Sequence, residues 1–187
     1  MTIIDATTPA EAIPEGVPAG WTYGGFGRRA VAAITDSLIL FVASLALAVI
    51  FGYPILPSAE PGASIVTTAT IVNSLLYLAY HTAFVASALR ATPGKYIMDL
   101  VVAQPDGGRV TPATAFARIL VQQLISLPMA LVQSQAKTAP LAYLTVALLV
   151  CCLALVNYLM VAFTPQKTAG HDRICGTRVF HRVNASA

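Results

Sequence analysis

Charged residues are scarce in this chain. Only 10% of its 187 residues are Asp, Glu, Lys or Arg, whereas soluble domains carry about 25%. The eleven Lys and Arg residues form no dense basic run and the net charge is only +3, so we expect no nucleic-acid partner. With 57% hydrophobic residues, the composition indicates an integral membrane protein, whose first partner is the lipid bilayer.

The sequence also lacks recognisable disulfide, catalytic and metal-binding motifs. Cys151 and Cys152 are adjacent in an apolar run and Cys175 lies in a basic tail, which is typical of packing residues and not of a disulfide framework. There is no HExxH motif, no Gly-rich phosphate loop and no recognisable Ser-His-Asp spacing. His171 and His181 lack metal-ligand spacing. We therefore expect a non-enzyme with no metal and no cofactor.

The N-terminal segment lacks basic residues. Residues 1–27 contain no Lys or Arg, so they have no basic region of the kind that opens a signal peptide. They carry three acids (Asp5, Glu11 and Glu15) and several prolines. This composition predicts a disordered acidic tail over residues 1–20.

Four apolar stretches reach the length of about 20 residues that a membrane-spanning helix needs. They are Val31–Ile50, Ile65–Leu89, Ala113–Val132 and Leu141–Phe163. The third is the weakest, because Arg118, Gln122 and Ser126 fall on one helical face. That face suits either a helix lying on the membrane surface or one turned toward a bundle interior. Pro128 should kink this helix.

The distribution of basic residues favours four crossings. With the N-terminus inside, only Lys137 falls outside, which leaves ten of the eleven basic residues on the cytosolic side. The positive-inside rule expects this asymmetry. The sequence therefore predicts an all-α membrane protein, a four-helix transmembrane bundle over residues 26–183. We place it in the plasma membrane as a multi-pass protein with both termini cytosolic.

The loop between the second and third helices has its own structure signals. Tyr96–Val102 is rich in strand formers, and Pro105–Gly108 is a strong turn signal. Arg109–Thr111 is the candidate returning strand. These features predict a small cytosolic β-hairpin between helices 2 and 3, and the tail at Arg173–Val183 is a candidate third strand beside it.

Each predicted span carries a polar residue near its cytosolic end. Asp36 lies only about 7–8 Å past Val31, at 1.5 Å per helical residue. His81, Gln122 and Asn157 come within about 9–15 Å of the same boundary. We therefore predict a polar layer in the cytosolic half of the bundle, in which His81 acts either as a proton relay or as a partner in helix packing.

Arginines are available to neutralise the buried acids. Arg29 and Asp36 are seven residues apart and lie on one helical face. Asp36 is expected to pair with Arg29 or Arg118, and Asp172 with Arg28 or Arg29, because a buried unpaired charge is costly. Two interpretations stay open for this set: an ion or proton site, or a structural latch between the first helix and the tail. Its position near the membrane edge favours the latch.

Three segments in order resemble a known family. RRAVAAITDSLIL, TPGKYIMDLVV and KTAGHDRICGTRVF resemble the RDD family of bacterial membrane proteins, named for one arginine and two aspartates. The resemblance covers about residues 26–183. It identifies the arginine with Arg29, or the adjacent Arg28, and the aspartates with Asp36 and Asp172. It implies an integral plasma-membrane protein; transport of an unspecified ligand has been proposed for the family, and sodium/proton exchange for a member.

Two functions remain as hypotheses. The first is transport of an ion or small solute, for example cation/proton exchange, through the polar layer. Because four helices enclose little path, this function implies a homo-oligomer. The second is a non-transporting accessory or scaffold subunit of a larger membrane complex, docked through its helices and hairpin. The resemblance favours transport.

Overall fold

The computed structural model describes residues 17–52, 63–132 and 138–183. The predicted disordered tail therefore lies outside the described residues up to residue 16. The elements in chain order are β1 (Trp21–Tyr23), α1 (Phe26–Phe51), α2 (Ala63–Ala86), α3 (Pro93–Ile97), β2 (Leu100–Ala103), α4 (Pro112–Val132), α5 (Pro140–Phe163), α6 (Gly170–Ile174) and β3 (Arg178–Arg182).

Three of the long helices cover the predicted apolar stretches, whereas α2 ends at Ala86 and so stops before the predicted end at Leu89. α1 ends at Phe51 and is capped by Gly52, whose φ of 68° supplies the left-handed conformation that often closes a helix. α5 begins with Pro140 at its first position, where the missing N–H costs nothing. α4 continues through Pro128. Local sequence signals thus account for the end of α1 and the start of α5.

Three described helices are long and apolar enough to cross a membrane: Phe26–Phe51, Thr68–Ala86 and Pro140–Phe163. Their outward faces are apolar, with Leu38 and Leu148 each more than 60% exposed. A helix that presents such residues all round needs lipid or another protein against it. The chain is therefore a mostly helical membrane protein, and α4 is its least apolar long helix.

A three-stranded antiparallel sheet replaces the predicted hairpin. The strand order is β1-β3-β2, so the tail strand β3 is central and pairs with both others. Val101 and Tyr23 both face Phe180 in the register. The tail was predicted as a candidate strand, whereas β1 was not predicted, and the all-α description omits this sheet.

The loop after α2 departs from the predicted hairpin in a specific way. Pro93 opens the short helix α3, so the strand starts at Leu100 and not at Tyr96. Arg109 meets Ala103 only in an isolated bridge. The predicted turn does form, since Asp106 Oδ1 accepts a 2.8 Å hydrogen bond from the Gly108 N–H. β2 pairs with β3 over four residue positions, whereas the residues after the turn offer it only the single bridge at Arg109. The longer pairing with β3 therefore replaces the hairpin.

The short elements gather at one end of the long helices. α3 and β2 follow α2 and precede α4, while α6 and β3 follow α5. A small core joins them to the helices; its buried residues are Ala32, Val85, Leu100, Val102, Val110, Ala115 and Val179. The polar residues predicted from the sequence lie at this same end, which is where the candidate site is built.

Candidate functional site

Asp172 lies at the centre of a buried ion-pair cluster. Its side chain is fully buried. Oδ2 accepts from Arg29 Nη1 at 2.7 Å, and Oδ1 accepts from Arg118 Nε at 2.9 Å and from Nη2 at 2.6 Å. The backbone N–H of Ala169 donates to Oδ2 at 3.2 Å. Each carboxylate oxygen is thus engaged twice, and we call Arg29, Arg118 and Asp172 the ion-pair cluster.

Arg29 also holds backbone carbonyls. Its Nε donates to Gly24 O at 3.0 Å and its Nη2 donates to Lys167 O at 2.6 Å. The preceding Arg28 is exposed and takes no part in the cluster. Of the two candidate arginines, Arg29 is therefore the one that meets Asp172, and it joins α1 to the segments on both sides of α6.

His171 extends the cluster to α5. Its Nε2 lies 3.2 Å from Arg118 Nη2, and its Nδ1 lies 3.2 Å from the side-chain amide of Asn157. The atom of Asn157 at this contact is the amide nitrogen Nδ2, which only donates, so Nδ1 accepts from it. The proton of the neutral ring then lies on Nε2, which is 3.4 Å from Asp172 Oδ1. Asn157 is thus a partner of the tail and not a ligand-binding residue on its own.

The charges set the protonation of this cluster. Burial, followed by Arg118, lowers the pKa of His171 to about 3, so the ring is neutral at physiological pH. Burial alone would raise the pKa of Asp172, but Arg118, His171 and Arg29 together hold it well below its usual range. The cluster therefore carries two positive charges and one negative charge.

Asp36 does not pair with an arginine, contrary to the expectation from the sequence. It is 3% exposed, and its Oδ1 accepts from Tyr80 Oη at 2.9 Å and from the Gly94 N–H at 2.8 Å. Its Oδ2 accepts from the hydroxyl of Thr92. Both arginines are committed to Asp172, so hydroxyl and backbone donors stabilise Asp36 instead.

Asp36 caps the start of α3 from another helix. Thr92 is the residue before α3 and Gly94 is the second residue in it, so the carboxylate meets a free N–H at a helix N-terminus. A Cβ at Gly94 would lie 2.9 Å from Asp36 Cγ and closer still to Ala32 O. Only glycine permits this approach, which places Lys95 directly beside α1.

Gln122 and His81 are the remaining residues of the predicted polar layer, and they differ in their hydrogen bonding. Gln122 Nε2 donates to Tyr77 Oη at 2.9 Å and so links α4 to α2. The ring of His81 packs against Tyr77 with centroids 4.3 Å apart and a tilt of 47°. His81 is 6% exposed, and its buried Nδ1 has no hydrogen-bond partner among the described residues.

A polar cavity of about 220 Å³ lies between these helices. Five helices each contribute a polar side chain to its lining: Asp36, His81, Lys95, Gln122 and Tyr158. Arg29, Arg118 and His171 of the cluster also line it. At about 30 Å³ per water, this volume suits a small solute or several waters. Among the described residues, no group of three His, Cys, Asp or Glu is placed to hold a metal ion.

A family model decides the identity of the chain. The model described as the RDD family matches residues 23–176. The chain belongs to the RDD family. No curated protein and no solved structure matches it.

The three residues assigned by the RDD resemblance do not form one ion-pair cluster. Arg29 and Asp172 are directly paired, whereas Asp36 lines the same cavity as Arg29 but caps α3. Sequence reasoning did not find Lys95, Tyr77 and Tyr158 as cavity residues. A signal was present for Lys95, because Thr-Pro-Gly at 92–94 is a strong helix-start pattern directly before the only lysine in that loop.

Proposed function

We propose that this RDD protein transports a small ion or polar solute across the bacterial plasma membrane. The observation that carries the proposal is the polar cavity, to which all four long helices contribute. Polar side chains at membrane depth are costly and are retained where they line a pathway or a binding site. We favour this function over an accessory or scaffold subunit because a docking role needs no polar cavity inside the bundle.

Our proposed topology has four crossings, with α4 completing the bundle. Its polar face, with Arg118 and Gln122, turns inward to the cluster and to Tyr77, which supports an interior position over a surface one. Four crossings place both termini and the sheet on the cytosolic side, in agreement with the positive-inside bias of the sequence. The cavity then opens near the cytosolic face.

The ion-pair cluster acts in this proposal as a latch and not as the solute site. Every carboxylate oxygen of Asp172 already accepts two hydrogen bonds. Removing one partner of such a buried set strongly destabilises a protein. The cluster therefore fixes α1, α4 and α6 together and forms one wall of the cavity, while the solute meets the other wall.

A single bundle of this size encloses little path, so we propose a homo-oligomer as the transporting unit. The exposed apolar faces of α1 and α5 offer surfaces for it. No covalent chemistry and no cofactor enters this function. The protein would act by exposing the cavity alternately to the two sides of the membrane.

Uptake into proteoliposomes tests the proposal. The purified chain is reconstituted and offered radiolabelled sodium, acetate and phosphate in parallel, under an imposed proton gradient. We expect uptake of at least one probe above that of protein-free vesicles. Ala33→Leu, which fills the cavity lining, should lose most of this uptake. Ala79→Leu on the exposed side of α2, away from the α1 and α5 faces proposed for the oligomer, should keep it.

Vesicles that take up none of the three probes faster than protein-free vesicles argue against transport. If both alanine variants take up the probe as fast as the unmodified protein, the cavity is not the route of transport. Pull-down from native membranes then shows whether a partner complex retains the chain, which is the outcome that an accessory subunit predicts.

A further inference from the structure

Lys95 brings an unpaired positive charge to the cavity. It is half-buried, lines the cavity, and its ammonium group forms no hydrogen bond or ion pair with any described residue. Three cationic side chains, Arg29, Lys95 and Arg118, line the cavity together with the carboxylate of Asp36. Asp172 is not part of the lining, but it pairs with both arginines and so belongs to the same charge balance. Three positive and two negative charges leave one positive charge in excess, and Lys95 is the cation without a partner.

The carboxylates offer little to a cation. Asp36 accepts from Tyr80, Thr92 and Gly94, and Asp172 is enclosed by two guanidinium groups. A sodium ion in the cavity would replace these donors or face the Lys95 ammonium. Like charges at close range in a low-dielectric site repel strongly. The electrostatics of the wall thus disfavour a metal cation.

Hydrogen-bond donors remain free around the same space. Tyr77 Oη accepts from Gln122, which leaves its own proton to donate. The hydroxyl of Tyr158 bonds to no described residue, and His81 is a cavity residue whose buried Nδ1 has no hydrogen-bond partner in the described chain. Hydroxyl and ammonium donors around a cationic centre are what an oxyanion requires.

We infer that the cavity binds a small oxyanion, a carboxylate or a phosphate group, with Lys95 as its counter-ion and Tyr77 and Tyr158 as hydrogen-bond donors. The assignment rests on the proposed function, because it takes the cavity to be the solute site. A volume of about 220 Å³ accommodates acetate or inorganic phosphate with accompanying water. The oxyanion is either a free solute or the headgroup phosphate of an anionic lipid such as phosphatidylglycerol, whose charge no choline group balances.

Asp36 is a positioning residue in this site. It makes no contact with the oxyanion in our proposal, but it caps α3 and so fixes the lysine that follows Gly94. This arrangement explains why a buried carboxylate lies beside a site that binds a negative charge. Although Asp36 lines the cavity, its carboxylate oxygens are occupied by donors from Tyr80, Thr92 and Gly94, which stabilise its charge.

Lysine NMR tests the inference directly. The chain has three lysines, Lys95, Lys137 and Lys167, so the full-length protein labelled at the lysine ε carbon gives three side-chain signals. The Lys95→Gln variant assigns the relevant one. The protein in a non-phosphate detergent is titrated with sodium acetate, sodium phosphate and, as an ionic-strength control, sodium chloride. We expect a saturable shift of the Lys95 signal with acetate or phosphate and no matching shift of Lys167.

Nanodiscs distinguish the two sources of the oxyanion. In phosphatidylcholine discs, a free solute shifts the Lys95 signal on addition of acetate or phosphate. A lipid headgroup shifts it when phosphatidylglycerol is included, and added acetate then has no further effect. No saturable shift with acetate, phosphate or phosphatidylglycerol, or an equal shift with chloride, overturns the inference.

Calorimetry with the active probe gives a matched comparison. Lys95→Gln should bind at least about tenfold more weakly, because it loses a charge-assisted hydrogen bond. Arg173→Gln removes the same charge from an exposed position near the cluster and should keep the affinity. Oxyanion binding without uptake of any probe would refute transport but support the oxyanion site. Uptake of sodium without oxyanion binding would support transport but refute the oxyanion site.

Discussion

Arg29 and Asp172 are 143 positions apart in the chain, yet Arg29 Nη1 lies 2.7 Å from Asp172 Oδ2. The other carboxylate oxygen is held by Arg118 from α4. Three elements that are distant in sequence therefore meet on one fully buried carboxylate. A charge so placed is stable only while both guanidinium groups remain, so the cluster makes the packing of α1, α4 and α6 interdependent.

Replacing Asp172 by asparagine should destabilise the protein strongly. Asp172→Asn leaves two buried guanidinium groups without a counter-charge, and breaking a buried pair typically costs about 3–5 kcal/mol. The measurement is the free energy of unfolding in detergent micelles. Asp99→Asn is the matched control, because Asp99 is exposed and should change stability by less than about 0.5 kcal/mol. Similar losses in both variants would show that the cluster is not a latch.

The long helices and the pairing of Asp172 with Arg28 or Arg29 could be predicted from the sequence. Long apolar runs specify spans, and a buried aspartate demands a cation, which left Arg28 or Arg29 as candidates. The partners of Asp36 could not be predicted in this way, since its hydrogen-bond donors are two hydroxyls and a backbone N–H. No charge pattern reveals such donors. The central place of β3 was equally hidden, because strand order depends on long-range pairing between Leu100 and His181 and not on local turn signals.

A methyl group at Gly94 should release α3 from α1. The Cβ of Gly94→Ala would meet Asp36 Cγ at 2.9 Å and the Ala32 carbonyl more closely, which forces the backbone apart. Trypsin should then cut after Lys95 several times faster than in the unmodified protein, at a temperature where the helices stay folded.

Gly27→Ala is the control for this experiment. A Cβ at Gly27 meets nothing within 4 Å, and alanine favours the helix that begins at Phe26. Its cleavage after Lys95 should match the unmodified protein. If Gly94→Ala is cleaved no faster than Gly27→Ala, the close approach of α3 does not depend on glycine.

His171 should make the stability fall in acid. Burial and then Arg118 lower its pKa in the folded state to about 3, from about 6.5 in the unfolded chain. Between these values the unfolded state binds more protons, so the free energy of unfolding decreases as pH falls, by at most about 1.4 kcal/mol per pH unit. Unfolding is measured from about pH 7 to about pH 5, above the range where carboxyl groups dominate. Comparison with a variant that lacks His171 separates its contribution from that of the other histidines.

His171→Gln keeps a hydrogen-bonding side chain between Arg118 and Asn157 but has no proton to gain in this range. Its unfolding free energy should be lower than that of the unmodified protein near pH 7, and the difference should shrink as pH falls toward 5. A difference that stays constant over this interval would mean that His171 is not held neutral in the fold.

Lys95 should titrate well below an ordinary lysine and respond to the oxyanion. Burial and then Arg118 lower its pKa to about 8. The groups that face it from the packed elements are Arg29 and Asp36 of α1, His81 and Tyr77 of α2, Arg118 of α4, Tyr158 of α5, and His171 and Asp172 of α6. A bound anion favours the protonated lysine, so saturating acetate or phosphate should raise this pKa, and affinity should weaken once pH exceeds about 8.

The ε-carbon signal of Lys95, followed from about pH 6 to about pH 11, measures this titration with and without the probe. Lys167 in the same sample serves as the internal reference, because it is exposed and is not among the residues that line the cavity. Ala33→Leu should abolish the upward shift by occupying the cavity, although Lys95 itself is unchanged. If the probe moves the titrations of Lys95 and Lys167 equally, general salt screening explains the effect and no oxyanion is bound beside Lys95.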